Sequence, residues 1–279
     1  MSVATSLFDA QTTAPPVSIR AEGRLAARFV RVGPRTALAD LRESGGYRVK
    51  FPRGPLCEAV IVNTGGGVAG GDDLAFDFSC NAGASATITS QAAEKLYRSD
   101  GAPVTMQVRL AADAHSVLHW LPQETILFDG ARLQRRFDIA LHDKAEAFIF
   151  ESITFGRIAM GEMITQGDWH DRWRVRIDDH LVFADETRLG GDLATHLHRP
   201  ATYGGAKAAA TILLRREDAA DKRDQLRAQE WPSIEAGFTI VNGLLIGRML
   251  AHDPRALRTA SIKLLEMIRG HAVPRVFTF

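Results

Sequence analysis

Cysteine is nearly absent: Cys57 and Cys80 are the only two in 279 residues. Two thiols give neither a disulfide framework nor a zinc-ligand pattern. They read as buried thiols in a reducing compartment. An excess of either charge is missing too. Against 34 Lys and Arg stand 33 Asp and Glu, for a net charge of +1. That balance argues against bulk binding to nucleic acid or to an anionic membrane. No apolar run approaches the ~18 residues needed to span a bilayer. Met1–Ser18 has no early positive charge and no apolar core, so no secretory leader is expected. A soluble cytoplasmic protein follows. Catalytic signatures are lacking as well. No HExxH, no HxE with CxxC and no GxSxG occurs, and Ser90 and Ser152 have no local nucleophile pattern. No strict period of 20–50 residues is visible, so any repeat is structural rather than sequential.

The stretch from Asn63 to Asp73 organises what is present. It holds Gly65, Gly66, Gly67, Gly70 and Gly71 and ends in Asp72-Asp73. A β-forming run, Ala59–Val62, enters it and an alternating run, Leu74–Phe78, leaves it. Glycines there allow tight turning and close strand crossing. A phosphate cradle does not fit. A P-loop would end in GK[ST], and a dinucleotide fingerprint would continue into a helix. This loop ends in acids and continues with period 2. A purely structural turn is the plain alternative.

Short alternating runs broken by turn residues extend from about 19 to 242. They include Leu25–Val32, Thr36–Leu41, Tyr47–Phe51, Val104–Leu110, Arg132–Ala140, Ala147–Phe155, Trp173–Ile177 and Leu181–Ala184. Strands at this spacing mean a sandwich, a barrel or a solenoid. Residues 1–17 read as a disordered tail and 18–279 as a single β-rich domain. Helical pattern is confined to the last quarter. Asp218–Glu230 is a charged surface helix, and Asp253–Arg269 is amphipathic, with Asp253 as cap, Pro254 in the first turn and Gly270 at its end. Its apolar stripe is Leu257, Ala260, Leu264, Leu265 and Ile268. Arg255, Arg258, Lys263 and Arg269 lie largely off it, as candidates for binding a partner; docking on its own sheet is the alternative. Phe238–Val241 and Leu244–Leu250 flank Asn242-Gly243, a hairpin signal.

Strand parity places several acids on apolar faces. Asp72 is in phase with Leu74, Phe76 and Phe78. Glu151 is in phase with Ile149, Ile153 and Phe155 on a strand apolar on both sides. Asp185 is in phase with Leu181 and Phe183, and Glu124 with Ile126 and Phe128. Burying a carboxylate costs several kcal/mol. Such groups are therefore paired with arginine, protonated, or facing water; Arg98, Arg132, Arg135 and Arg157 are the available partners. A wet interior of carboxylates would suit a divalent cation in transit. His196 and His198, two apart, would face the same way on a strand and form a possible transition-metal pair. His170-Asp171 reads as a turn.

Four segments in order resemble the urease accessory protein UreD family (UreH in some organisms). They are Gly66-Gly67-Val68-Ala69-Gly70-Gly71-Asp72, Lys95-Leu96-Tyr97-Arg98-Ser99, Trp120-Leu121-Pro122-Gln123-Glu124, and Phe155-Gly156-Arg157 with Gly161-Glu162. The resemblance implies a non-catalytic, mainly β protein: a two-layered β-helical, solenoid-like body with a small C-terminal part of about two helices. It implies docking on the urease structural subunits, binding of UreF and, through UreF, recruitment of the GTPase UreG, to which any GTP belongs. It implies no tightly bound cofactor, with nickel(II) as cargo guided through a water-filled passage. Asp72, Glu94, Glu151 and Asp185 are the implied passage-lining candidates, with Glu124, Glu162, His196 and His198 secondary. Gly66, Gly67, Gly70 and Gly71 form the structural crossing. The competing readings are a metal-dependent hydrolase built on His196 and His198, and a β-solenoid binding module with no metal role.

Overall fold

The computed structural model describes residues 20–99 and 101–278. The tail expected over 1–17 lies outside them. The strands are β1 (Glu22–Val32), β2 (Arg35–Ser44), β3 (Tyr47–Lys50), β4 (Glu58–Asn63), β5 (Asp73–Cys80), β6 (Ser85–Ser90), β7 (Glu94–Leu96), β8 (Val104–Ala112) and β9 (Val117–Leu121). They continue with β10 (Thr125–Leu127), β11 (Arg132–Leu141), β12 (Glu146–Phe155), β13 (Gln166–Ile177), β14 (His180–Asp192), β15 (Ala208–Arg215), β16 (Ile234–Val241) and β17 (Leu244–Ala251). The helices are α1 (Leu193–His198), α2 (Ala219–Ala228) and α3 (Pro254–Arg269). None is long and apolar enough to cross a membrane.

Two sheets share the strands. The first runs β14-β13-β11-β8-β5-β1-β2; the second runs β16-β17-β15-β12-β9-β6-β4-β3, with β10 paired to β12 and β7 to β10. From β4 to β13 the chain alternates between them, and successive strands within a sheet are parallel. This is a β-solenoid in which β7 and β10 follow β6 and β9 as short second strands in the second sheet. One inward row of the first sheet is Leu25, Phe76, Val108, Phe137 and Trp173. The steps along it are uneven. Phe76 pairs Val108, 32 residues on; Val108 pairs Phe137, 29 on; Phe137 pairs Trp173, 36 on. Uneven coils leave no fixed sequence period. Phe137 and Trp173 stack with centroids 4.3 Å apart.

Strand β12 is buried on both faces. Ile149 and Ile153 belong to the core between the sheets, whereas Phe148 and Phe150 belong to a second core shared with α2 and α3. The apolar stripe of α3 fills that second core. Asp253 caps α3 through the Arg255 amide, and Gly270 ends it in the left-handed conformation. Of the four cations expected off the stripe, Arg255 and Lys263 are exposed and Arg258 is half-buried, but Arg269 is buried. The hairpin turn is as expected, with φ of 47° at Asn242 and 77° at Gly243.

Two local expectations are corrected. His196 and His198 lie on α1, not a strand. The Asp192 carboxylate accepts from the Thr195 amide and starts the helix. Residues two apart on a helix point in different directions. His170 and Asp171 lie in the middle of β13, not in a turn.

Candidate functional site

Buried charge is concentrated between the sheets. Arg135 on β11 and Asp171 on β13 are register partners on the inward face. Arg135 Nε is 3.1 Å from Asp171 Oδ1, and Nη2 is 2.6 Å from Oδ2. Its Nη1 reaches across to Glu151 Oε2 on β12, at 2.5 Å. Trp120 Nε1 donates to the other Glu151 oxygen at 2.6 Å. The side chains of Arg135 and Glu151 are only 4 % and 5 % exposed. One cation thus faces two carboxylates in a low-dielectric interior. Burial raises the Glu151 carboxyl above its usual range, and Arg135 and Trp120 only partly offset this. Burial pulls on Arg135 too, but Asp171 and Glu151 outweigh it and hold its guanidinium firmly charged.

A cavity of ≈ 40 Å³ adjoins this cluster and reaches Asp185, Trp169 and Arg248. Asp185 Oδ2 accepts from Arg248 Nη2 at 2.5 Å. Arg248 Nη1 and Trp169 Nε1 are buried with no hydrogen-bond partner among the described residues. A water needs about 10–15 Å³ and two or more polar partners. The cavity offers both, with room for about two or three. The expected phase of Asp185 with Leu181 fails, because a bulge near Val175/Arg176 turns Leu181 outward while Phe183 stays half-buried.

Glu94 belongs to a second group, which carries no arginine. Tyr47 Oη and Asn63 Nδ2 donate to its two oxygens at 2.9 and 2.8 Å. Burial raises its carboxyl above the usual range, while these neutral donors pull it down. The nearby Tyr47 hydroxyl is pushed far up, chiefly by burial and then by the Glu94 charge. Glu94 is also the register partner of Thr125 on β10. The Thr125 hydroxyl lies 3.5 Å from Arg135 Nη1. A row of polar groups therefore runs from Glu94 past Thr125 to the Arg135 cluster. Asp72 faces inward but stands apart, accepting from the Ala21 and Ala69 amides at 2.8 Å each. It clamps the start of β1 to the glycine loop.

The secondary candidates lie elsewhere. Glu124 shares its face with Ile126 and Phe128, but that face lines a groove outside the sheet, where Glu124 pairs Arg258 at 3.3 Å. Glu162 pairs Arg157 and accepts from the Asp129 amide. His196 and His198 join no metal-sized cluster among the described residues. The one such group there is His142, Asp143 and Asp178, all exposed. Sequence reasoning missed Asp171, Asn63 and Arg248. Asp171 was findable: it is in phase with Trp169 and Trp173, both buried.

The sequence model described as UreD urease accessory protein matches residues 21–277. The chain belongs to the UreD urease accessory protein family. It is similar to the urease accessory protein UreD of Xanthobacter autotrophicus, with 45 % identity over 260 residues, 92 % of this chain and 90 % of the relative. The UreD of Azorhizobium caulinodans is 41 % identical over 261 residues, 92 % and 96 % of the two chains. The UreD of a Methylobacterium is 42 % identical over 267 residues, 92 % and 95 %.

The segments that carry the UreD resemblance pack on one another. Val68 donates to the Lys95 carbonyl and Tyr97 to the Val68 carbonyl, at 2.8 and 2.9 Å. A Cβ on Gly70 would lie 1.8 Å from Ser99 Oγ and 2.6 Å from the Ala102 carbonyl, so only glycine allows this coil-to-coil approach. Gly66, Gly67 and Gly71 take positive φ. Trp120 and Glu151 meet through a direct hydrogen bond, which ties a third segment to the buried charges.

Proposed function

We propose that this UreD-family chain is a non-catalytic cytoplasmic scaffold in urease maturation. It docks on apo-urease, recruits the UreF–UreG module and guides Ni²⁺ as cargo toward the urease active site. The observation that carries the nickel part is the buried cluster in which two carboxylates, Glu151 and Asp171, share the one cation Arg135 beside a polar cavity. Carboxylate oxygens that already hold a cationic group can exchange it for a metal cation. Few, loosely arranged oxygens favour passage over storage. Glu94 and Thr125 extend the polar row, and Asp185 ends it.

The non-metal reading has an observation of its own. Glu151 and Asp185 both sit on arginines, so the cluster could be a fixed staple between the sheets. The test is expression of the urease operon with and without this chain. Urease that activates fully without it ends the scaffold reading. Normal complexes that deliver less nickel with Glu151→Gln support guidance over stapling.

A further inference from the structure

An apolar concavity lies outside the sheets. A groove of ≈ 500 Å³ runs between β10, β12, the turn Ile158–Met160 and α3. Its floor includes Ile126, Phe128, Phe150 and Leu257. Ser261 of α3 also lines it; this residue is 4 % exposed, and its hydroxyl has no hydrogen-bond partner among the described residues. At the rim, Met160 is 79 % exposed, and Met163 follows on the same loop at 56 %. Methionines so placed adapt to the shape of whatever packs on them.

The rim is cationic. Arg157 and Arg258 are engaged by Glu162 and Glu124. Lys95 and Arg255 also line the groove, and neither has an ion pair among the described residues. A two-fold contact centred on this groove would crowd the cations of both copies together, which is unfavourable. A negatively charged visitor would be attracted instead.

We propose that this groove receives an acidic amphipathic segment of a partner protein. Two or three of its apolar side chains lie along Ile126, Phe128, Phe150 and Leu257. Its carboxylates meet Lys95 and Arg255. The inference rests on the scaffold reading for the existence of a partner; the groove supplies the place and the chemistry.

The test uses the full chain, expressed with the urease operon, carrying a photo-cross-linking amino acid at exposed Met160. Mass spectrometry then identifies the cross-linked segment. The expected segment has acids beside apolar residues at helical spacing. Lys95→Glu with Arg255→Glu should lower the cross-link yield by about tenfold without changing the melting temperature, since both charges are at the rim. Absence of a cross-link, a cross-link to a second copy, a segment without carboxylates, or a yield indifferent to charge reversal overturns the proposal. If any of these occurs while urease activation still requires the chain, the scaffold reading stands and only the groove assignment falls. A chain dispensable for activation, with the cross-link intact, removes the scaffold reading instead.

Discussion

Arg135 Nη1 stands 2.5 Å from Glu151 Oε2 across the gap between the two sheets. The guanidinium is fully enclosed and also grips Asp171. Replacing it tests whether the two carboxylates are a staple or a cation site. Arg135→Met should destabilise by about 3–5 kcal/mol, the usual cost of leaving buried charges unpaired. Excess Ni²⁺ should then restore part of the melting temperature, by taking the vacated place. The same variant carrying Glu151→Gln and Asp171→Asn should show no such recovery. Calorimetry with and without Ni²⁺ reads this directly, and equal behaviour of the two backgrounds would favour the staple.

Glu94 gives a pH signature. Its folded carboxyl is raised by burial, so the folded state holds its proton at pH values where the unfolded chain has lost it. Stability from this group therefore falls as pH rises from the ordinary carboxylate range through the raised value. Glu94→Gln removes that loss while keeping an acceptor for Tyr47. The variant should gain melting temperature relative to the parent on going from pH 4 to pH 7, with about 4.3 as the ordinary glutamate value. A difference that stays flat or shrinks over that interval would contradict the burial argument.

His119 supplies the opposite sign. Burial, with Arg269 adding repulsion, lowers its ring to about 3. The unfolded chain takes up this proton near the ordinary histidine value of about 6.5. Stability from keeping the ring neutral is thus complete above that value and lost as pH falls toward 3. NMR titration should show His119 neutral at pH 5, whereas a normal midpoint would count against its burial beside Phe148.

The glycine crossing separates sterics from backbone strain. Gly66→Ala meets open space but must hold φ near 76°; a cost of about 1 kcal/mol is expected. Gly70→Ala collides with Ser99 and with backbone, so about 2–3 kcal/mol or more is expected. Urea midpoints rank the two. A reversed order would mean that the coils are not pressed together at Gly70.

Much of this architecture was legible in local pattern. Asn242-Gly243 announces its hairpin, Asp253 and Gly270 bracket α3, and the phase of Asp72 with Leu74 and Phe76 places its carboxylate inward. The solenoid was legible only through the family resemblance, because its coils differ in length and coil register leaves no trace in short windows. Asp171 was hidden because His170-Asp171 reads as a turn but lies in the middle of β13. Arg248 and Asp185 lie 63 residues apart, and nothing local joins them. Glu124 shows the limit of parity: it shares a face with Ile126 as expected, but that face belongs to the outer groove.

The most direct test of nickel guidance is the metal content of urease matured with the Arg135→Met, Glu151→Gln, Asp171→Asn chain, in which the buried charges are removed together. Urease should co-purify with the variant as it does with the parent. Its nickel per active site should fall several-fold at limiting Ni²⁺ and recover when Ni²⁺ is raised. Intact complexes carrying the full nickel complement at limiting Ni²⁺ would contradict the account.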